Sequence, residues 1–149
     1  MTKSSWCEFG ADEVINYATH DFAAEAIRLT GRRGVDLILD AVGKPTLTKG
    51  LGCLAPFGHL VLYGRAGGIP DPVNPMMLFG KALKISGFAV PMVYAMHEIH
   101  RHGLDDAYRL AREGKLTVPI GRRFALADAV EAIRYLQSRQ SVGKLLLLP

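Results

Sequence analysis

The sequence predicts an α/β protein in which helices cover a parallel β-sheet. Short apolar runs alternate along the chain with segments of helical period, which is the pattern of βαβ units. The apolar runs are nearly continuous, as expected of strands that are buried on both faces of a parallel sheet. Gly or Asp bounds most of these runs, where the chain must turn. The 149 residues are enough for one globular domain with a core.

Four apolar segments are predicted to be strands of the sheet, because they are short and rich in β-branched or aromatic residues. In chain order they are EVINY (Glu13 to Tyr17), VDLILD (Val35 to Asp40), HLVLYG (His59 to Gly64) and LKISGFAV (Leu83 to Val90). A fifth run, KLLLLP at residues 144–149, is predicted to form a terminal strand.

Helices are predicted between the strands. Residues 21–34 place apolar side chains on one helical face, with Asp21 as the N-cap and Gly31 as a stop signal. Residues 46–58 predict a shorter helix that Gly50 and Gly52 weaken and Pro56 ends.

After residue 90 the pattern changes, because residues 91–103 and 104–116 are helical segments with no strand between them, broken near Gly103. The segment ADAVEAIRYLQS, residues 127–138, predicts a helix with Ala129, Ile133 and Leu136 as its apolar stripe.

Composition and charge exclude several classes of protein. The net charge of +4 comes from scattered residues and two Arg pairs, without the basic run that nucleic-acid binding needs. Cys7 and Cys53 are far apart and match no metal or redox spacing, which favours free thiols in a reducing, cytoplasmic compartment. No apolar segment approaches the roughly 20 residues that span a bilayer.

The loop LYGRAGGIP, residues 62–70, follows a predicted strand and is rich in glycine. A dinucleotide fold normally has G-x-G-x-x-G before a helix, and the chain contains no such motif. The prolines of IPDPVNP argue against a helix starting behind this loop. Two interpretations stay open: the loop lines a ligand crevice at the end of a strand, or its glycines serve turn geometry.

Other polar residues carry weaker signals. His97 and His100 are three residues apart, whereas the zinc-protease motif needs four, so no metal site is predicted. Asp40 ends a strand and could bind a ribose, but capping the next helix is the favoured interpretation. Tyr17 could bond a ribose phosphate or close a hydrophobic rim, and the residues do not choose between these roles.

Six segments together resemble the carboxyl half of the medium-chain dehydrogenases/reductases, in the quinone oxidoreductase branch. In order, these are FGADEVINY, GVDLILDAVG, LAPFGHLVLYGRAGG, REGKL, LADAVEAIRYLQS and VGKLLLLP. The resemblance implies an incomplete Rossmann-type parallel sheet with flanking helices that lacks its first two strands, plus a C-terminal helix-strand tail. Residues 1–120 would form the partial NAD(P)-binding domain, and residues 121–149 would return to a GroES-like substrate domain.

The resemblance also implies an NADPH-dependent reductase of quinones or activated alkenes that acts by hydride transfer, present here as a C-terminal fragment impaired on its own. It implies NADP(H) as cofactor, no zinc, no identifiable catalytic residue and a homodimer paired through the Leu83–Val90 strand edge. The positions that match cofactor-binding residues of the family are Tyr17, Ala41, Val42, Gly43, Tyr63, Gly64, Arg65, Phe88, Val90 and Arg139. The alternative is a non-catalytic module, derived from a nucleotide-binding fold, that dimerises or docks on a partner.

Overall fold

The computed structural model describes residues 10–138 and 140–149. These residues divide into two compact units, residues 10–96 and His97–Pro149. No helix among the described residues is long and apolar enough to cross a membrane. Each unit is described in turn, beginning with the larger one.

The first helix, α1 (Phe22–Leu29), begins and ends as the sequence predicts. The Asp21 carboxylate accepts hydrogen bonds from the amides of Ala23 and Ala24 at 3.0 and 3.2 Å, which confirms it as the N-cap. After the helix, Gly31 takes a left-handed conformation with φ 58°, as expected of a glycine that ends a helix.

The sheet of this unit contains β1 (Val35–Asp40), β2 (Leu54–Leu62) and β3 (Lys84–Gly87). The strands lie in that order and both pairings are parallel. Helix α2 (Leu47–Cys53) connects β1 to β2, and the short helix α3 (Met76–Phe79) precedes β3. The predicted α/β class with a parallel sheet is therefore confirmed.

The core of this unit lies between α2 and one face of the sheet. Its central cluster of buried side chains consists of five leucines: Leu47, Leu51, Leu54, Leu60 and Leu83. Gly50 permits the close approach of α2, because a Cβ there would lie 3.0 Å from Cδ1 of Leu60 and 3.5 Å from Cδ1 of Ile38. The neighbours of Ile38 on β1, Leu37 and Leu39, point to the other face and are 56% and 64% exposed.

The prediction of a strand at Glu13 to Tyr17 is wrong, because residues 13–16 have no regular structure and Tyr17 begins a turn. A strand is stable only when its backbone groups bond a neighbouring strand. The three-stranded sheet consists of Val35–Asp40, Leu54–Leu62 and Lys84–Gly87. Among the described residues, no strand pairs with the segment at residues 13–17.

Two further boundaries differ from the prediction. Helix α2 ends at Cys53 and β2 runs from Leu54 through Pro56, so the proline does not end the helix. Strand β3 ends at Gly87, and Val90 is the first residue of a short helix, α4 (Val90–Tyr94). Pro91 in the first turn favours this helix start, since proline lacks the amide that a first turn leaves unbonded.

The unit at His97–Pro149 begins with α5 (His97–Arg112), which passes through Gly103 without the predicted break. Next come β4 (Ile120–Ala125), a 3₁₀ turn (Leu126–Asp128), α6 (Ala129–Gln137) and β5 (Lys144–Leu148). Strands β4 and β5 pair in parallel, so the predicted terminal helix and strand belong to a βαβ unit whose first strand the sequence did not predict. The Arg122 guanidinium lies 4.6 Å from the ring centre of Phe124 and 5.2 Å from that of Tyr135.

The predicted apolar stripe of α6 is only partly correct. The side chain that α6 buries is Ala132, whereas Ile133 and Leu136 of the predicted stripe are exposed, as is Val130. Within this unit the helix therefore leaves an apolar face uncovered.

Candidate functional site

The candidate site lies at the carboxyl ends of β1 and β2, where open parallel sheets bind ligands. A cavity of about 370 Å³ opens there between the segment at residues 13–17 and the end of β1. Alternate side chains of that segment form one wall. The residues that line the cavity are Glu13, Ile15, Tyr17, Phe22, Ile38, Leu39, Asp40, Ala41, Val42, Thr46 and Gly50.

Asp40 is the buried charged residue of the described chain, with 5% of its surface exposed. Its Oδ1 accepts hydrogen bonds from the amides of Val42 and Gly43, at 2.8 and 3.1 Å. The Thr46 hydroxyl lies 2.9 Å from both carboxylate oxygens. Gly43 completes the turn with φ 87°, a conformation that favours glycine. The carboxylate thus holds the loop after β1, residues 41–46, which is called the β1 loop here.

The loop after β2, residues 63–68, is called the β2 loop. It lies against the β1 loop and is joined to it by backbone hydrogen bonds only. The amides of Ala66 and Gly67 donate to the carbonyls of Ala41 and Val42, at 3.1 and 2.7 Å. The Lys44 amide donates to the Gly68 carbonyl at 3.2 Å, so bonds run in both directions between the loops.

The glycines of the β2 loop make this contact possible. A Cβ on Gly64 would lie 2.6 Å from the Ala41 carbonyl oxygen, and one on Gly67 would lie 2.7 Å from Cδ of Pro45. Two of the loop's amides, those of Ala66 and Gly67, already bond the β1 loop. The glycines of LYGRAGGIP therefore serve close packing of two loops, and those two amides are not available to hold a phosphate.

The structure brings most of the predicted cofactor-binding residues to this edge of the sheet. Tyr17, Ala41 and Val42 line the cavity. Gly43, Tyr63, Gly64 and Arg65 belong to the two loops, and the Phe88 amide donates to the Leu62 carbonyl at 2.9 Å just after β3. Val90 begins α4 and does not end a strand. Arg139 lies outside the described residues, as does Cys7.

Sequence reasoning missed the role of two residues in this site. Asp40 was expected to cap the next helix, but the N-cap of α2 is Thr46 and no side-chain bond caps it. The signal was the segment DAVGKPT, residues 40–46. Its aspartate precedes the amides of Val42 and Gly43 by two and three residues, the spacing of an aspartate that bonds the backbone of a turn. The hydroxyl of Thr46 follows six residues after the aspartate. Thr46 carried no separate signal.

The metal-ligating side chains and the thiol of Cys53 form no site comparable to the one at Asp40. Among residues 10–138 and 140–149, no group of three or more His, Cys, Asp and Glu side chains could hold a metal ion. The Cys53 thiol is buried, and burial raises its pKa above the ordinary value. Cys53 is therefore a poor nucleophile in the folded chain.

A model of the zinc-binding dehydrogenase family matches residues 9–147, and the chain belongs to that family. This confirms the resemblance to the quinone oxidoreductase branch of the medium-chain dehydrogenases. The described residues themselves do not fit a zinc site, as their side chains show no suitable cluster.

Two reductases are similar in sequence to this chain. The chain is 33% identical over 146 residues to a 2-haloacrylate reductase of Burkholderia sp., covering 95% of this chain and 43% of the relative. It is 32% identical over 143 residues to a quinone oxidoreductase of Pseudomonas aeruginosa, covering 95% of this chain and 44% of that protein. The chain thus spans less than half the length of these relatives.

Solved structures agree with the fold described above. The crystal structure of 2-haloacrylate reductase matches with a TM-score of 0.82 and 34% identity, over 98% of this chain and 46% of that one. The structure of Escherichia coli quinone oxidoreductase complexed with NADPH matches with a TM-score of 0.85 and 27% identity, over 98% and 46% of the two chains. The described sheet is therefore a Rossmann-type sheet.

Proposed function

We propose that this chain forms the carboxyl part of the cofactor site of an NADPH-dependent oxidoreductase that reduces a quinone or an activated alkene. The observation that carries the proposal is the cavity beside two interlocked loops at the carboxyl ends of adjacent parallel strands. Ligands of Rossmann-type folds bind at this edge. The NADPH bound in a solved relative and the reductase names of others support the choice of cofactor and substrate class.

The cavity fits part of such a cofactor. Its lining is mostly apolar, with aromatic rings from Tyr17 and Phe22, which suits a flat base. In this proposal Tyr17 binds near the adenosine ribose phosphate. The two loops, with Phe88 and Arg139, bind towards the nicotinamide, which when bound supplies the hydride from its C4 atom.

The chain's own residues would contribute position and electrostatics. Among the described residues of the site, no group is placed as an activated nucleophile. The preformed loops would hold the nicotinamide ribose and limit its motion, which is how a protein accelerates direct hydride transfer.

The assembly is part of the same proposal. Strand β3 lies at an edge of the described sheet, and Phe88 and Val90 beyond it are about half exposed. A homodimer would pair the Leu83–Val90 edge of two copies, with regular pairing limited to the strand Lys84–Gly87. The exposed apolar face of α6, formed by Val130, Ile133 and Leu136, would pack on a substrate domain, as proposed for residues 121–149.

A second candidate is a non-catalytic docking or dimerising module. It is favoured by one observation: the amides of Ala66 and Gly67 in the glycine-rich β2 loop bond the β1 loop and are not available to a phosphate. Charge-assisted hydrogen bonds to a pyrophosphate contribute about 1.5–3 kcal/mol each. Because the given sequence has no G-x-G-x-x-G turn to make them, we expect this chain alone to bind NADPH more weakly than a fold with that turn by orders of magnitude.

Titration of the chain with NADPH and with NADH, followed by the fluorescence of the reduced nicotinamide, tests the proposal. We expect weak saturable binding with NADPH preferred. Tyr17→Phe should weaken NADPH binding about tenfold, the cost of one hydrogen bond to a charged group, and leave NADH binding unchanged. Tyr108→Phe, an exposed tyrosine on α5, is the matched control.

Absence of saturable binding, or equal binding of both nucleotides, would favour the docking module. A parallel assay with benzoquinone and 2-chloroacrylate as acceptors should show no turnover by the chain alone. Micromolar NADPH binding together with quinone reduction would contradict the expectation that this chain alone is impaired.

A further inference from the structure

We propose that Asp40 is a positioning residue that locks the β1 and β2 loops into one preformed wall of the cofactor site. The identity of the ligand in this inference rests on the proposed function. The lock itself rests on the hydrogen bonds of the loops. The hydrogen bonds of the Asp40 side chain go to the β1 loop and not to the β2 loop, so it acts on the β2 loop through the residues that it holds.

The carboxylate is committed to the β1 loop. It accepts from the amides of Val42 and Gly43 and from the hydroxyl of Thr46, while only 5% of the residue is exposed. A buried carboxylate is costly to desolvate, and here each bond that offsets the cost fixes part of one loop. None of these bonds goes to an amide inside α2, so the charge is not used as a helix cap.

The effect on the β2 loop follows from the planarity of the peptide bond. The Val42 amide and the Ala41 carbonyl belong to one peptide plane, and the Gly43 amide and the Val42 carbonyl belong to the next. Asp40 holds both planes by their N–H groups. Their carbonyl oxygens accept the amides of Ala66 and Gly67 from the β2 loop.

One buried side chain therefore orients two acceptors for a neighbouring loop. If those planes rotated, the Ala41 and Val42 carbonyls would no longer face the amides of Ala66 and Gly67. Six of the predicted cofactor-binding positions lie in these two loops: Ala41, Val42, Gly43, Tyr63, Gly64 and Arg65. Hydrogen bonds within the protein hold the wall that they form, which reduces the entropy that binding must remove.

Amide hydrogen exchange in Asp40→Asn tests the lock. We expect the amides of Ala66 and Gly67 to exchange at least tenfold faster than in the unchanged chain, although neither contacts residue 40 through its side chain. The amide of Leu60, in the middle of β2, should keep its rate. Asp36→Asn is the matched control, because Asp36 lies on the same strand, is exposed and bonds Arg33.

A pair of variants at Thr46 tests the same hydrogen bonds if Asp40→Asn does not fold. Thr46→Val removes the hydroxyl that bonds both carboxylate oxygens and keeps a side chain of similar shape. It should accelerate exchange of Ala66 and Gly67 to a smaller extent. Thr46→Ser retains the hydroxyl and should restore the original rates.

NADPH titration of the same variants tests whether the loop arrangement affects cofactor binding. Asp40→Asn should raise the Kd for NADPH about tenfold and Asp36→Asn should leave it unchanged. Unchanged exchange of Ala66 and Gly67 in the folded variants, or an equal rise that includes Leu60, would overturn the lock. Failure of the unchanged chain to bind NADPH would count against the proposed function, and the exchange rates would still decide the lock.

Discussion

At each end of β1 a glycine packs closely against a neighbouring segment and an aspartate lies nearby, but only one of the two aspartates is buried. At the amino end, Gly34 lies against the junction of α2 and β2, where a Cβ would be 2.6 Å from the Cys53 carbonyl oxygen. The nearby charge, Asp36, stays in solvent and bonds Arg33. At the carboxyl end, Gly43 lies against the β2 loop in a similar way, but the nearby charge, Asp40, is buried.

The difference in burial between Asp36 and Asp40 distinguishes a residue that the fold tolerates from one that the candidate site requires. An exposed ion pair contributes little to stability and costs little. A buried carboxylate costs several kcal/mol to desolvate and is retained only where hydrogen bonds offset that cost. Backbone packing alone is sufficient to close the amino end of β1. The buried charge at the carboxyl end is therefore best explained by the arrangement of the two loops.

The largest expected effect comes from Gly34→Ala at the amino end. Gly34 has φ 88°, and the added Cβ would meet backbone atoms of residues 53–55 that cannot move aside. The left-handed conformation and the overpacking together should lower the free energy of unfolding by about 3 kcal/mol. Urea denaturation of the chain measures this loss.

Gly52→Ala provides the control for that variant. Gly52 lies within α2, and a Cβ there would have no neighbour within 4 Å. Since alanine is favoured over glycine in helices, this variant should be more stable by up to about 1 kcal/mol. Equal losses in the two variants would contradict the account of the amino end.

A smaller effect on stability is expected from Gly64→Ala at the carboxyl end. The added Cβ would lie 2.6 Å from the Ala41 carbonyl oxygen, so the two loops must separate. We expect a loss of about 1–2 kcal/mol, because loops can shift more than the sheet, together with weaker NADPH binding. Gly80→Ala, where a Cβ would have open space, should change neither quantity. A stable variant with unchanged NADPH affinity would show that the loop contact does not matter for binding.

The smallest effect concerns Asp21, an exposed carboxylate at the start of α1. The amide of Ala24, and then Lys49, lower the pKa of Asp21 below its ordinary value of 3.8. Its charge therefore contributes stability that is fully present above pH 3.8 and is lost as the pH falls through the lowered pKa. Asp21→Asn keeps a capping oxygen but cannot titrate in this range.

The measurement is the difference in urea midpoint between the unchanged chain and Asp21→Asn. The unchanged chain should be the more stable at pH 7, and its advantage should shrink as the pH drops below 3.8. A difference that does not depend on pH would show that the carboxylate acts only as a neutral hydrogen-bond acceptor would.

Where local chemistry was sufficient, the sequence predicted the fold. The apolar run of β1 and the Asp21 cap of α1 depend on residues a few positions apart, and both are present. The segment at Glu13 to Tyr17 has strand composition but no strand neighbour, so its state depends on pairing that composition does not report. Gly103 was expected to break a helix, but one glycine costs only about 1 kcal/mol and α5 continues through it.

The site was harder to predict than the fold for a physical reason. The resemblance predicts that the segments around Tyr17, Ala41 and Tyr63 bind the cofactor, and these segments lie at one edge of the sheet. The hydrogen bonds between the loops join backbone groups of residues more than twenty positions apart. Backbone groups are present at every residue, so no side-chain pattern could mark Ala66 or Gly67 as partners of the β1 loop. Strand β4 was missed because IGRRFA carries Gly and two Arg in place of an apolar run.

The backbone hydrogen bonds between the two loops determine which of their residues can be substituted. Because the hydrogen bonds between them use main-chain atoms, the side chains of Lys44, Arg65 and Ala66 can change without removing a bond that shapes the wall. Gly43, Gly64 and Gly67 cannot change in this way, since each lies against the opposite loop. A library randomised at residues 44, 65 and 66 would therefore alter the charge and size of the surface while the supporting frame stays constant.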